Sequence, residues 1–311
     1  MLYRDWNKDI KKGTANKGQK IDNRKGDANS NKAGNATEEN NSMKKLEQLM
    51  DQALAQHQQG NLGEAERNYL KIAEQMPDHP DIEHYLGVVR FQLGKLQDAE
   101  RRLDRSLQLK SDNPDCWNNL GIVCMQLKNT QKAIDAFLRA KESMPDAPDV
   151  LSNLGNAYRE AGELEEAEVY CRRAVKLDTG FAQAWNNLGA VLRERGNLEE
   201  AESSLQESLH IFPENPDAHN NMGAVLRDQG RLDEAENCLR AILDQFPRYP
   251  EALNNLGNVF FDRRNWEKAE ECYRGALEQQ TGYAEAYINL GLALLEKGAY
   301  EQASEYVQEA L

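Results

Sequence analysis

The chain is poor in the residues that carry chemistry. Its five cysteines, Cys116, Cys124, Cys171, Cys238 and Cys272, contain no C-x-x-C pair, and its five histidines, His57, His79, His84, His210 and His219, contain no pair at i, i+4. Neither set has the spacing of a metal site or a disulfide framework, so the thiols read as free cysteines in a reducing compartment and no cofactor is expected. There is no glycine-rich phosphate loop, no nucleophile elbow and no recurrent carboxylate pair placed in a pocket. No apolar run reaches the length of a membrane span, and none near the N-terminus has signal-peptide length. These absences argue against an enzyme and predict a cytoplasmic protein. Basic residues are in deficit as well: 38 Lys and Arg stand against 52 Asp and Glu, a formal charge of −14. Such a surface repels nucleic acid and anionic membranes and favours a basic or neutral protein partner.

What the sequence does hold is repetition. The stretch Pro114 to Ala147 has fixed points at Trp117, Leu120, Gly121, Cys124, Ala133, Phe137, Ala140 and Pro145, and the same skeleton returns every 34 residues. With Pro114 taken as position 1, positions 4, 7, 8 and 11 are apolar or Gly, and so are positions 20, 24 and 27. Each set has the i, i+3, i+4, i+7 spacing of one helical face, so each copy reads as two helices joined by a turn. Position 20 is Ala in all eight copies, from Ala65 to Ala303, and position 8 is Gly in seven, with Ala53 in the first. A helix-interior Gly costs about 1 kcal/mol against Ala, so its recurrence predicts helices too close to admit a side chain there.

The turns keep the same register. All nine prolines fall at position 32 (Pro77, Pro145, Pro213, Pro247) or position 1 (Pro80, Pro114, Pro148, Pro216, Pro250), and Pro at a first turn starts a helix. Gly60, Gly94, Gly162, Gly196, Gly230 and Gly298 stand at position 15, where a left-handed cap is expected. Trp117, Leu120, Gly121, Ala133, Phe137 and Pro145 match the W-x2-L-G-x2-Y…A-x3-F…P pattern of tetratricopeptide repeats, with Cys124 in place of the Tyr. The chain therefore resembles that family from residue 46 to 311. The expected fold is all-α: a right-handed α-solenoid, or superhelix, of about eight 34-residue helix-turn-helix repeats, continuous rather than split into globular domains.

The copies are 46–79, 80–113, 114–147, 148–181, 182–215, 216–249, 250–283 and an incomplete 284–311. The first is the least regular, as a terminal cap should be. Leu311 falls inside a second helix, so a truncated chain, or one that continues into another domain, is expected. Residues 1–42 are rich in Asn, Gly and Lys with almost nothing apolar after Ile21, and read as disordered. Met43, just before the first helical pattern, is read as the real or an alternative start. The first 43 residues carry 9 basic and 6 acidic side chains, a formal +3, which leaves −17 on the remainder.

Function should lie on the face the repeats do not bury. At 100° per residue, positions 2, 6, 9 and 13 lie opposite the apolar face of the first helix; by resemblance, that face lines a concave groove. Position 6 is Asn in six successive copies: Asn119, Asn153, Asn187, Asn221, Asn255 and Asn289. Asn is a mediocre mid-helix residue but offers both a donor and an acceptor, so a row of them can grip the backbone of an extended peptide. The competing account is that each Asn is inherited or bonds its neighbouring repeat. Position 5 adds Asn118, Asn186, Asn220 and Asn254, and position 2 adds Asp115, Asp149 and Asp217. Position 13 carries Glu160, Glu194 and Asp228 near the helix C-terminus, where negative charge is mildly unfavourable. Arg159, Arg193 and Arg227 at position 12 can pair with those acids in adjacent copies; any charge left over would select a basic ligand.

The asparagine row is similar to the repeat arm of O-linked N-acetylglucosamine transferases, whose groove asparagines hold the substrate peptide. No catalytic glycosyltransferase part accompanies it here, and similar arms precede sulfotransferase or methyltransferase domains in bacterial proteins. The clamp that other members close on a chaperone's C-terminal carboxylate needs cations at position 5, and here that position has none. The expected function is a scaffold that binds a protein or peptide, including one with basic residues. The alternative is the substrate-recruiting arm of a larger transferase.

Overall fold

Five of the eight copies begin with a proline that fixes the backbone for a first turn. This computed structural model describes the backbone of residues 29–309 and the side chains of 43–309. After α1 (Asn29–Gln58), thirteen- and fourteen-residue helices alternate: α2 (Leu62–Gln75), α3 (Pro80–Gln92), α4 (Leu96–Leu109), α5 (Pro114–Gln126), α6 (Thr130–Ser143), α7 (Pro148–Glu160) and α8 (Leu164–Leu177). They continue as α9 (Ala182–Glu194), α10 (Leu198–Ile211), α11 (Pro216–Asp228), α12 (Leu232–Gln245), α13 (Pro250–Asp262), α14 (Trp266–Gln279) and α15 (Ala284–Glu296), ending with the ten-residue α16 (Tyr300–Glu309). These sixteen helices form an all-α solenoid of about eight helix-turn-helix repeats. Prolines occupy the first helical position of α3, α5, α7, α11 and α13. Two of these proline-started helices are also capped by asparagine: Asn113 Oδ1 accepts from the Cys116 N–H at 3.2 Å, and Asn215 Oδ1 from the Asp217 and Ala218 N–H groups.

The glycines at position 15 all adopt positive φ, between +73° and +81°. Copies three and seven have no Gly there, and Lys128 and Arg264 take the same conformation at φ +60° and +59°. The turn geometry is thus imposed by helix packing even where the residue resists it. Within a copy, the first helix lies on the second through the position-8 glycine. A Cβ on Gly189 would stand 2.6 Å from Leu205 Cγ, and one on Gly155 would stand 2.5 Å from Cys171 Sγ and 3.1 Å from the Ala167 carbonyl. Every position-20 Ala is at most 1% exposed.

The chain forms two compact units, Met1–Asn129 and Thr130–Leu311, where the repeats alone suggested one continuous body. The boundary falls in the turn of the third copy, between α5 and α6. The first unit centres on Met50, Tyr69, Ile72, Ile82 and Leu86. The second has its own core, running from Leu151 to Ala303. Of the segment 1–42 expected to be disordered, residues 1–28 lie outside the described residues, and from Asn29 the backbone already belongs to α1. Extending a helix fixes one residue per added bond, so a nucleus near Met50 can carry helical structure upstream of its apolar positions.

Candidate functional site: the face of the first helices

In the second unit, the first helices α7, α9, α11, α13 and α15 stand side by side, and a ladder of side-chain amides crosses them. Asn221 Nδ2 donates to Asn186 Oδ1 at 2.9 Å, Asn255 Nδ2 to Asn220 Oδ1 at 2.8 Å, and Asn289 Nδ2 to Asn254 Oδ1 at 3.0 Å. Asn187 Nδ2 makes the same contact with Ser152 Oγ at 3.0 Å. Each rung joins position 6 of one copy to position 5 of the copy before. The first unit repeats the pattern with an imidazole as acceptor, Asn119 Nδ2 lying 2.8 Å from His84 Nε2. Burial holds the His84 pKa down at about 4, against a smaller opposing pull from Asp81, so the ring is neutral and free to accept. The amide nitrogens of Asn119, Asn187, Asn221, Asn255 and Asn289 are therefore bound to a neighbouring repeat, as the competing account of the row required.

A second ladder runs along the C-terminal ends of the same helices. Arg159 Nη1 bonds Glu194 at 2.6 Å, Arg193 Nε bonds Asp228 at 2.6 Å, and Arg227 Nε bonds Asp262 at 2.6 Å. Glu160 is held by Arg159 of its own helix at 2.5 Å. The pairing expected of position 12 is present, and the position-13 acids already have their cations. Little charge is left at this edge to select a basic ligand.

Across the asparagine ladder lies a cleft of about 290 Å³ lined by Asn156, Arg159, Gln183, Asn186, Asn187, Ala190, Asp217, Asn220, Asn221, Tyr249 and Glu251. It gathers Asn186, Asn187, Asn220, Asn221 and Asp217 from the residues singled out in the sequence. Asn254, Asn255 and Asn289 occupy later rungs and do not line it. Asn153 is half-buried on α7, with Asp149 exposed at that helix's start. In the first unit, Asn118 is buried and Asp115 exposed. Asp217 accepts the Tyr249 hydroxyl at 2.7 Å. Burial, and then that carboxylate, push the Tyr249 phenol above its ordinary value, so it remains a donor. Among the described residues, Asp217 and Glu251 have no cation partner. The Asn186 and Asn220 amide nitrogens and the Asn221 carbonyl oxygen carry no further hydrogen bond, which leaves the cleft both donors and acceptors.

Sequence reasoning missed Tyr249, which stands at position 34, just before its helix. It also missed a structural ladder between second helices and the turns that follow: Glu66, Glu168, Glu202, Glu236 and Glu270, all at position 21. Glu202 takes Arg231 at 2.8 Å, and Glu270 takes Lys297 at 2.8 Å. Glu66 takes Lys95, Glu168 takes Arg195, and Glu236 takes Arg263. The signal was available, since Glu recurs beside the invariant Ala. Three of the first helices are further tied by a ring nitrogen near a position-32 carbonyl: Trp117 to Ser111, Trp185 to Thr179 and His219 to Pro213, at 2.8–2.9 Å.

Cys116 is buried as fully as Cys124 and Cys171. Burial pushes the Cys116, Cys171 and Cys272 thiols up to about 12 and Cys238 to about 11. Among the described residues, no group of three His, Cys, Asp or Glu side chains can hold a metal ion, and no helix is long and apolar enough to cross a membrane.

Tetratricopeptide repeat families match residues 84–148, 148–180, 180–248, 220–284 and 256–311. No curated protein sequence matches the chain. A tetratricopeptide repeat protein from Parabacteroides merdae ATCC 43184 superposes with a TM-score of 0.68 at 17% identity, over 80% of this chain and 98% of that one. A monomeric mutant of IFIT1 with Gppp-AAAA gives 0.62 at 18%, over 84% and 68%. The APC/C hetero-tetramer Cut9-Hcn1 gives 0.65 at 18% over 85% of this chain, which spans about half, 52%, of that one. At such identities these structures share the fold alone. The 34-residue period, the glycine contacts and the matched repeats agree: the chain belongs to the tetratricopeptide repeat family and is an interaction scaffold.

Proposed function

We propose that the scaffold holds an extended segment of a partner protein against the face of its first helices, in the cleft around Asn186, Asn220 and Asn221. The observation that carries this reading is the unused half of two amide rungs. With one nitrogen tied to the neighbouring repeat, the Asn221–Asn186 and Asn255–Asn220 pairs each still offer a donor at position 5 and an acceptor at position 6. An extended backbone presents the complementary groups along its length. Asp217 and Glu251, free of cations, favour a segment with Lys or Arg opposite α11 and α13. The free thiols suit a reducing compartment, so the proposed site of action is the cytoplasm.

A photo-crosslinking residue in place of Ala190, within the cleft, tests the proposal in cells. Mass spectrometry of the adduct should show a partner peptide bearing a basic residue. The Asn186→Ala, Asn220→Ala double variant should bind that peptide about tenfold or more weakly, since each lost hydrogen bond is worth roughly 0.5–1.5 kcal/mol. Unchanged affinity would end this reading. A second reading, a recruiting arm for a transferase, draws on the same asparagine row. It requires a longer native product that transfers label from a sugar, sulfate or methyl donor to the crosslinked partner.

A further inference from the structure

The second copy departs from the others along the seam between its two helices, α3 and α4. Position 4 is Leu, Trp, His or Tyr in every other copy, and position 11 is Cys, Tyr, Leu or Phe from the third copy on; here they are Glu83 and Arg90. Position 23, uncharged in every other copy, is Arg102. Glu83 is only 7% exposed, and both its oxygens accept from Arg102 Nη1, at 2.8 and 2.9 Å. Arg90 donates to Glu66 through Nε at 3.1 Å and to Asp98 through Nη1 at 3.4 Å. Apolar residues of similar volume fill such a seam without loss of stability, so packing does not call for this charge.

The charge lines a cavity instead. Its volume is about 420 Å³, and its walls are Glu83, Arg90, Asp98, Arg101, Arg102 and Arg105. The Arg90 and Arg102 side chains are recessed, at 17% and 29% exposed, while Arg101 and Arg105 stand further out, at 77% and 44%. Arg101 pairs with Asp98, and Arg105 with Asp78 at 2.7 Å. Each pairing uses only part of a guanidinium: Arg90 Nη2, Arg105 Nε, and the Nε of both Arg101 and Arg102 make no hydrogen bond among the described residues. Four arginines against two carboxylates give the lining a formal +2, in a chain whose net charge is −14. A phosphate monoester matches this, with a charge of about −1.5 to −2 and three acceptor oxygens. Arginine forks bind such a group bidentately. A carboxylate would bring no more than Asp98 already supplies, and a polyanion such as nucleic acid is repelled by the chain as a whole. The volume lies within the roughly 300–1,000 Å³ of ligand sites, so the residue bearing the phosphate fits as well. We infer that the cavity between α3 and α4 holds a phosphorylated side chain of a partner protein, its phosphate among Arg90, Arg101, Arg102 and Arg105.

The test uses the full chain and one labelled peptide, otherwise uncharged, carrying phosphoserine, aspartate or serine at its centre. Fluorescence anisotropy should show the phosphoserine form binding at least tenfold tighter than either of the others. The Arg101→Ala, Arg105→Ala double variant, which removes the two outer arginines, should weaken it about tenfold with circular dichroism unchanged. Asp98→Asn, which removes the acid competing for Arg90 and Arg101, should tighten it about threefold. The Glu83→Leu, Arg102→Tyr double variant installs the residues of the fourth copy, Leu151 and Tyr170, and should fold while losing the preference for phosphoserine. Equal or absent binding of the three peptides, or undiminished binding in the Arg101, Arg105 variant, would overturn the inference and leave the arginines a structural network. Inorganic phosphate that displaces the peptide at equal concentration would overturn the partner assignment in favour of a free anion.

Discussion

Asn221→Ala separates the two roles that one side chain can play. Its amide nitrogen donates to Asn186 Oδ1 at 2.9 Å, and Asn186 is only 4% exposed. Removing the donor leaves a mostly buried acceptor unpaired, a cost of roughly 1–3 kcal/mol. Helix propensity returns about 0.5–0.7 kcal/mol, because Ala is the better helix former. The net expectation is a loss of about 0.3–2.5 kcal/mol at the interface between the fifth and sixth copies. Asn186→Ala alone removes the acceptor and should cost a similar amount. The double variant leaves neither group stranded, so the two losses should fall short of additive, with a coupling of about 0.5–1.5 kcal/mol. Repeat arrays can lose all-or-none behaviour, so a single unfolding free energy is a poor readout. Native-state hydrogen exchange reports opening locally instead, and the amides of α9 and α11 should lose protection before those of α15. Additive effects, or full protection in Asn221→Ala, would refute the ladder as an inter-repeat tie and return the row to ligand binding alone.

Gly155→Ala should destabilise by about 1–2 kcal/mol despite its helix-propensity gain, because its Cβ would stand 3.1 Å from the Ala167 carbonyl as well as against Cys171 Sγ; a lower melting temperature checks this. Arg264→Gly should stabilise by about 0.5–1 kcal/mol by removing a non-glycine side chain from φ +59°, seen as a raised urea midpoint. The His84 ring is held near pKa 4, below its unfolded value of 6.5. Its contribution is therefore present above pH 6.5 and lost as pH falls through about 4. His84→Asn keeps an acceptor for Asn119 and should flatten the stability of the first unit across that range, measured by hydrogen exchange at pH 7 and pH 4.5. The Arg231 guanidinium, with Gln229, holds the Glu202 carboxyl below its ordinary value, so its stabilisation is present at neutral pH and lost on acidification below the ordinary carboxylate range. Glu202→Gln should reduce that acid dependence, read from urea midpoints at successive pH values.

Much of this architecture is legible one copy at a time. Proline at position 1, glycine at positions 8 and 15 and alanine at position 20 act through local geometry and close contact, and they recur often enough to exclude chance. The faces are legible too, because 3.6 residues per turn fixes which positions share a side. A repeat sequence is less informative about which neighbour a polar side chain meets. The asparagine row could equally face a ligand or the next helix. Its nitrogens turn sideways to Asn186, Asn220 and Asn254 because stacked first helices bring positions 5 and 6 of adjacent copies within hydrogen-bond reach. The same stacking occupies the position-13 acids with arginines and leaves Asp217 exposed and Glu251 half-buried beside Tyr249. The sequence by itself determined the helices, their turns, their register and the family, since each follows from propensity and periodicity within 34 residues. Only the tertiary structure decided which amides are tied and which are open, and where the cleft forms, because those depend on contacts between residues about 35 apart.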